Sequence, residues 1–252
     1  MPTAILIDGA YFIKRFRSIE PHNSLNAKRA SEYAFRCAIS HLSEGNGRKH
    51  DLYRIFFYDC PPLEKKLQNP VTKKGVDFAK SKEAVFRLEL HNLLRDKRKV
   101  ALRLGHLASD TPWTIKPNII DELLKGKRKF EDLTEHDVIP NARQKGVDMR
   151  IGIDISSLSI KKQVDQIVLI AGDADFVPAA KLARREGVDF ILDPMWQSIP
   201  AGLREHIDGL RSTCAKPHKA GAVTITPPLA RSPNGSQLDE LNSFGNTGAF
   251  AI

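Results

Sequence analysis

Cysteine is scarce in this chain. Three thiols, Cys37, Cys60 and Cys214, are spread over 252 residues. Their odd number and wide spacing, with no CxxC pair, argue against a disulfide framework or a zinc ribbon and favour reduced, partly buried side chains. Long apolar runs are also missing. No segment approaches the roughly 18 to 20 apolar residues of a membrane span, so no membrane partner is expected. Ala4 to Ile7 is too short for a secretory h-region and is interrupted by Asp8; a cytoplasmic protein is the expectation. The 8 histidines are scattered without a pairing motif, and none is assigned a role in chemistry. Acidic residues are the minority: 30 Asp and Glu against 39 Lys and Arg give a formal charge of +9. A pI near 9.5 favours a polyanionic partner, nucleic acid or anionic lipid.

Against these absences stands Ile167-Val168-Leu169-Ile170-Ala171-Gly172-Asp173-Ala174-Asp175-Phe176. A short apolar run closed by Gly reads as a strand buried on both faces of a parallel sheet. Its carboxylates then fall at the C-terminal edge, where open α/β sheets bind ligands. Ala4-Ile5-Leu6-Ile7 running into Asp8-Gly9 repeats the arrangement. Two buried strands that each deliver Asp to one edge imply an acidic pocket, and an acidic pocket implies a metal. Basic residues bracket these positions: Lys14, Arg15 and Arg17 follow Asp8, and Arg143 and Lys145 precede Asp148. A cationic rim around carboxylates suits a phosphodiester, the rim holding phosphates and the carboxylates a metal.

Further strands are expected at Leu52 to Tyr58, Val100 to Leu104 and Val188 to Leu192. Helices are expected from about Tyr11, over Ala27 to Leu42 and over Ser81 to Arg95, and one ends at Arg184-Arg185-Glu186-Gly187. In Ser81 to Arg95 the buried side is either Val85, Leu88 and Leu94 or Phe86, Leu90 and Leu93. Gly45-Asn46-Gly47 reads as a turn. Strand and helix alternate, which implies a parallel α/β sheet. The expected organisation is one domain over residues 1–215, with a polar insertion at about 109–141 that contains short helices and the basic run Lys125 to Lys129. Residues 216–252, rich in Pro, Gly, Ser, Asn and Ala without periodicity, read as a disordered tail.

Gly146 to Ile155 is ambiguous. Apolar residues at 147, 149, 151, 153 and 155 alternate as in a strand, while Ile155, Leu158 and Lys162 also fit a helix. Periodicity leans to strand. Three motifs in this order, Ile7-Asp8-Gly9, Lys145-Gly146-Val147-Asp148 with Asp154, and Gly172-Asp173-Ala174-Asp175-Phe176, resemble the NYN domain of the LabA-like group within the PIN-like nucleases. The resemblance spans roughly Ala4 to Leu210 and implies a three-layer fold with a central, mostly parallel sheet flanked by helices. It further implies that Asp148 opens a helix, that Mg²⁺ or Mn²⁺ binds an aspartate-rich site, and that RNA is cleaved in a metal-dependent reaction. Asp8, Asp148, Asp173 and Asp175 match the acidic positions, with Asp154 as a fifth of lesser standing. Tyr11 stands where the family commonly has Asn, and Ala171 and Ala174 where it often has Ser.

The chemistry is coherent on its own terms, because clustered carboxylates repel one another until a cation neutralises them and Mg²⁺ takes oxygen ligands. Two other classes remain open. A non-catalytic RNA-binding or regulatory module is favoured by the departures at Tyr11 and Ala171. A haloacid-dehalogenase-like phosphatase would need a second carboxylate two residues after Asp8, where the chain has Ala10. A homo-oligomer is compatible with all three.

Overall fold

The computed structural model describes residues 2–43, 47 and 49–217. The first half runs β1 (Pro2–Asp8), α1 (Gly9–Ile19), α2 (Ala27–Ser40), β2 (Asp51–Asp59), the short strands β3 (Lys66–Gln68) and β4 (Gly75–Asp77), α3 (Lys82–Arg95) and β5 (Val100–Leu104). Next come β6 (His106–Leu107), β7 (Trp113–Ile115), α4 (Pro117–Leu124), β8 (Val138–Pro140), β9 (Gln144–Lys145) and α5 (Val147–Ile160). The chain then completes the sheet with β10 (Gln166–Ile170), α6 (Val177–Arg185), β11 (Asp189–Asp193), the single turn α7 (Ala201–Arg204) and β12 (Gly209–Leu210). The tail expected over 216–252 lies outside the described residues except for Lys216 and Pro217. Of the expected turn Gly45-Asn46-Gly47, Gly47 alone is described.

Six parallel strands form the central sheet in the order β12-β11-β10-β1-β2-β5. Its inner strands read as continuous apolar runs because both faces are covered. Ala4, Leu6, Phe56, Tyr58, Ile167 and Leu169 face α5 and α6, while Ile5, Ile7, Ile55, Phe57, Val168 and Ile170 face α1, α2 and α3. Each strand thus divides its side chains between two cores, as a period of two requires. From β1 the chain builds outward through β2 to β5 in one direction, and from β10 through β11 to β12 in the other. The switch point lies between β1 and β10, so the loops leaving their C-terminal ends diverge to opposite faces and leave a crevice.

Local sequence sets the helix boundaries. Asp8 caps α1 by accepting the Tyr11 N–H at 3.1 Å, Asn26 caps α2 from Arg29 N at 2.9 Å, and Ser81 caps α3 from Ala84 N at 3.1 Å. Such caps satisfy amides that the first helical turn leaves without partners. The α3 face follows neither expected set in full. Phe86, Leu90 and Leu94 are buried, whereas Val85 and Leu88 are exposed. The segment after Gly146 is a helix, not the strand its alternation suggested, because Val147, Ile151, Ile155 and Leu158 form the buried stripe and Met149 and Ile153 face outward. The expected insertion at 109–141 holds α4 and a three-residue 3₁₀ turn, and also an antiparallel β7–β8 pair that composition did not indicate. Its basic run is partly occupied: Arg128 pairs with Asp137 at 2.8 Å.

Candidate carboxylate site at the sheet edge

Asp8 ends β1 at the switch point. Gly9 must follow it, since a Cβ there would meet the Tyr58 carbonyl oxygen at 2.5 Å and Asp59 Cβ at 2.9 Å. That close approach sets the first turn of α1 against the end of β2. Asp8 is half-buried, and burial pushes its carboxyl up to about 6. The Tyr11 N–H opposes the rise, and the charges of Asp148 and Asp59 add to it.

Asp148 lies in the first turn of α5, where the helix dipole favours a carboxylate. Gly146 supplies the left-handed backbone that starts the helix, with φ 77°. The Asp148 carboxyl is also held above its ordinary value, first by burial and then by the charges of Asp173 and Asp175. It is therefore electrostatically coupled to both sides of the crevice. Asp173 follows the end of β10 and caps a 3₁₀ turn by accepting the Asp175 N–H at 3.1 Å. Asp173 and Asp175 are both exposed.

Asp148 and Asp175 open onto a groove of about 870 Å³ between α5 and α6, walled also by Met149, Ile153, Phe176 and Pro178 among others. Among the described residues, no group of three or more His, Cys, Asp or Glu is arranged to hold a metal ion. The donor set still suits a hard divalent cation. All donors are oxygens, two carboxyls are raised partly by mutual repulsion, and Mg²⁺ needs only one or two carboxylates because it keeps several waters.

The remaining acidic positions have partners. Asp154, the fifth candidate, accepts the Tyr58 hydroxyl at 2.8 Å and pairs with Arg103 at 3.3 Å, so it links α5 to the sheet. Asp59 ends β2 fully buried, with Arg87 Nη1 at 2.5 Å on one oxygen and His91 Nε2 at 2.8 Å on the other. Sequence reasoning left Asp59 outside the candidate set, and its influence on Asp8 is visible only once β1 and β2 are paired.

The five basic candidates separate. Lys14 and Lys145 are exposed. Arg143 is exposed and pairs with Asp110 at 2.9 Å. Arg17 donates to Glu83 at 2.6 Å and to the Ser24 carbonyl at 3.0 Å, with its guanidinium over Phe86. Arg15 is not a rim cation. It is 6% exposed, and its Nε and Nη2 donate to the Met195 carbonyl at 3.2 and 2.7 Å.

Tyr11 spans the crevice. Its hydroxyl donates to the Pro194 carbonyl at 2.6 Å, and its ring lies so close to Gly172 that a Cβ there would meet it at 2.5 Å. The loop it reaches is strained: consecutive non-glycine residues Met195 and Trp196 take φ 45° and 66°, at about 1–3 kcal/mol each. Asp193 holds that loop by accepting the Met195 N–H at 2.7 Å, while the Trp196 N–H donates to Ser212 Oγ at 2.9 Å.

Residues 112–209 match the family model of the NYN domain, a member of the PIN-like nuclease superfamily. The matched segment includes Asp148, Asp173 and Asp175; Asp8 and Asp59 precede it in sequence but share the same sheet edge. Comparison with curated proteins and with solved structures gave no match.

Proposed function

We propose that the edge of the sheet around Asp8 and Asp148 is the site of a metal-dependent ribonuclease of the LabA-like group. The observation that carries this reading is the set of carboxylates where β1 and β10 diverge, which have no ion-pair partner among the described residues. Asp8 and Asp148 are both raised, each partly by other acidic groups of the set. In this reading Asp8, Asp148, Asp173 and Asp175 hold Mg²⁺ or Mn²⁺, directly or through water, and Asp154 is left to its Tyr58 and Arg103 contacts. Bound there, a divalent ion supplies an activated water and neutralises charge on a phosphodiester. Lys14 and Lys145 attract the RNA backbone, with Arg143 and Arg17 joining where the strand displaces their carboxylate partners. The α5–α6 groove provides an apolar wall beside the carboxylates.

A non-catalytic RNA-binding module is the second reading, favoured by Tyr11. In place of a small polar group it presents a ring, and its hydroxyl is occupied by Pro194. The test is incubation of the full chain with labelled single-stranded and structured RNAs in Mg²⁺, Mn²⁺ or EDTA. The expected result is cleavage in the metals, none in EDTA, and none with folded Asp173→Asn in any condition. Binding without cleavage in every condition would favour the second reading, and hydrolysis of phosphomonoesters alone would favour a phosphatase.

A further inference from the structure

Across the crevice from the α5–α6 groove lies a smaller cavity of about 270 Å³, lined by Tyr11, Lys14, Arg15, Ser18, Gly172, Gln197 and Ser198. We propose that it is a phosphate-binding pocket, taking one phosphate of a nucleic-acid strand beside the carboxylate edge.

Arg15 is the main reason. A buried guanidinium needs compensation, and Arg15 makes two donations to a single carbonyl oxygen. Among the described residues it has no carboxylate partner within ion-pair distance. Asp193, whose charge acts on Tyr11 in the opposite sense to that of Arg15, is occupied by His41 Nε2 at 2.9 Å, by the Met195 N–H and by Thr213. Five N–H donors in a planar fork match phosphate oxygens, and two of the three nitrogens face Met195. Lys14 adds an exposed ammonium, and Ser18, Ser198 and Gln197 add neutral hydrogen-bonding groups.

The strained loop supports the same assignment. Left-handed conformations at Met195 and Trp196 precede Gln197 and Ser198 directly, and the contact from Arg15 to the Met195 carbonyl fixes that loop against α1. The pocket is smaller than the roughly 300–1,000 Å³ of sites that enclose whole small ligands, which suits a phosphate whose attached chain continues outside. Gly172 belongs to the wall and immediately precedes Asp173, so the strand would pass from this pocket toward the carboxylates. That direction rests on the proposed nuclease reading; binding of phosphate by the pocket does not.

The test uses the full chain in EDTA, where no cleavage is needed. Amide spectra are recorded against inorganic phosphate, and affinities are measured for one short oligoribonucleotide bearing either a 5′-phosphate or a 5′-hydroxyl. Expected are saturable shifts at Gly172, Gln197 and Ser198, together with competition between phosphate and oligonucleotide. Lys14→Ala should weaken binding about 1.5-fold to fivefold, as for a single exposed charge, and a folded Arg15→Met should lose it. Preference for the 5′-phosphate would identify a terminal phosphate as the source, and equal binding of both oligonucleotides an internal one. Absence of saturable shifts, or affinity unchanged in Lys14→Ala and Ser198→Ala, would overturn the proposal and leave Arg15 as a strut for the loop.

Discussion

Asp8 and Asp59 leave neighbouring parallel strands at the same edge of the sheet, yet their surroundings are opposite. Asp59 is fully buried, with Arg87 on one oxygen and His91 on the other. Asp8 receives backbone N–H groups of the first turn of α1, Tyr11 foremost, and faces the charges of Asp148 and Asp59. On the proposed reading the difference separates structure from function within one pair of strands: a compensated carboxylate holds α3 to the sheet, and one without an ion-pair partner among the described residues is left in the crevice. Acidic residues at a strand end are thus not equivalent, and the partners decide which of them can serve a ligand.

The largest effect should come from breaking the compensated side. Asp59→Ala leaves buried His91 without its acceptor and half-buried Arg87 with Glu83 alone, and should cost about 3–5 kcal/mol of stability, read from urea denaturation. The uncompensated side should respond to metal. At a Mg²⁺ or Mn²⁺ concentration a hundredfold above its Kd, the wild type should gain about 2.7 kcal/mol if the ion binds only the folded chain. Thermal unfolding at several metal concentrations would show this gain, and Asp8→Asn should abolish most of it.

A smaller effect of opposite sign to that of Asp59→Ala is expected for Asp8→Asn in EDTA. The folded carboxyl is raised from 3.8 to about 6, so its stabilising contribution is fully present below pH 3.8 and is lost as pH rises through about 6. Asn keeps the cap and does not ionise. The variant should therefore be more stable than the wild type by about 1–2 kcal/mol above that range, with the advantage vanishing at low pH. Equal stability at pH 8 would mean that Asp8 is not short of a cation. The smallest effect is electrostatic: Asp148→Asn should move the Asp8 carboxyl back toward its ordinary value, measured by carboxyl NMR titration in EDTA.

Much of the frame is legible in the sequence because buried parallel strands announce themselves as short apolar runs. Pro2–Asp8, Asp51–Asp59, Val100–Leu104, Gln166–Ile170 and Asp189–Asp193 lie within a residue or two of the expected strands. Periodicity fails where a helix exposes apolar side chains. Met149 and Ile153 are 70% and 58% exposed, and with them α5 imitates a strand; the family resemblance, not the pattern, pointed to the helix. Val85 on α3 misleads in the same way, at 54% exposed. The two-residue strand Gly209–Leu210 and the β7–β8 pair are too short to carry a pattern.

At the site, the Asp positions at the ends of β1 and β10 could be read from the strands they terminate. Their partners could not, because compensation is long-range: Arg87 and His91 reach Asp59 from a helix beyond the β3–β4 pair, and Arg15 meets Met195 across the crevice. A basic residue near an acidic motif in sequence says little about which way it points. Arg15 and Lys14 are adjacent in the chain, and one is buried while the other is exposed.

The central claim is that a divalent ion binds the uncompensated carboxylates and leaves Asp59 and its partners unchanged. Its most direct test is paramagnetic broadening of amide signals as Mn²⁺ is added to the full chain. The account predicts that Gly9, Val147, Gly172 and Ala174 broaden first, and that Asp8→Asn suppresses the effect at all four. Broadening that begins elsewhere, at exposed pairs such as Glu135 and His136, or that is unchanged in Asp8→Asn, would contradict it.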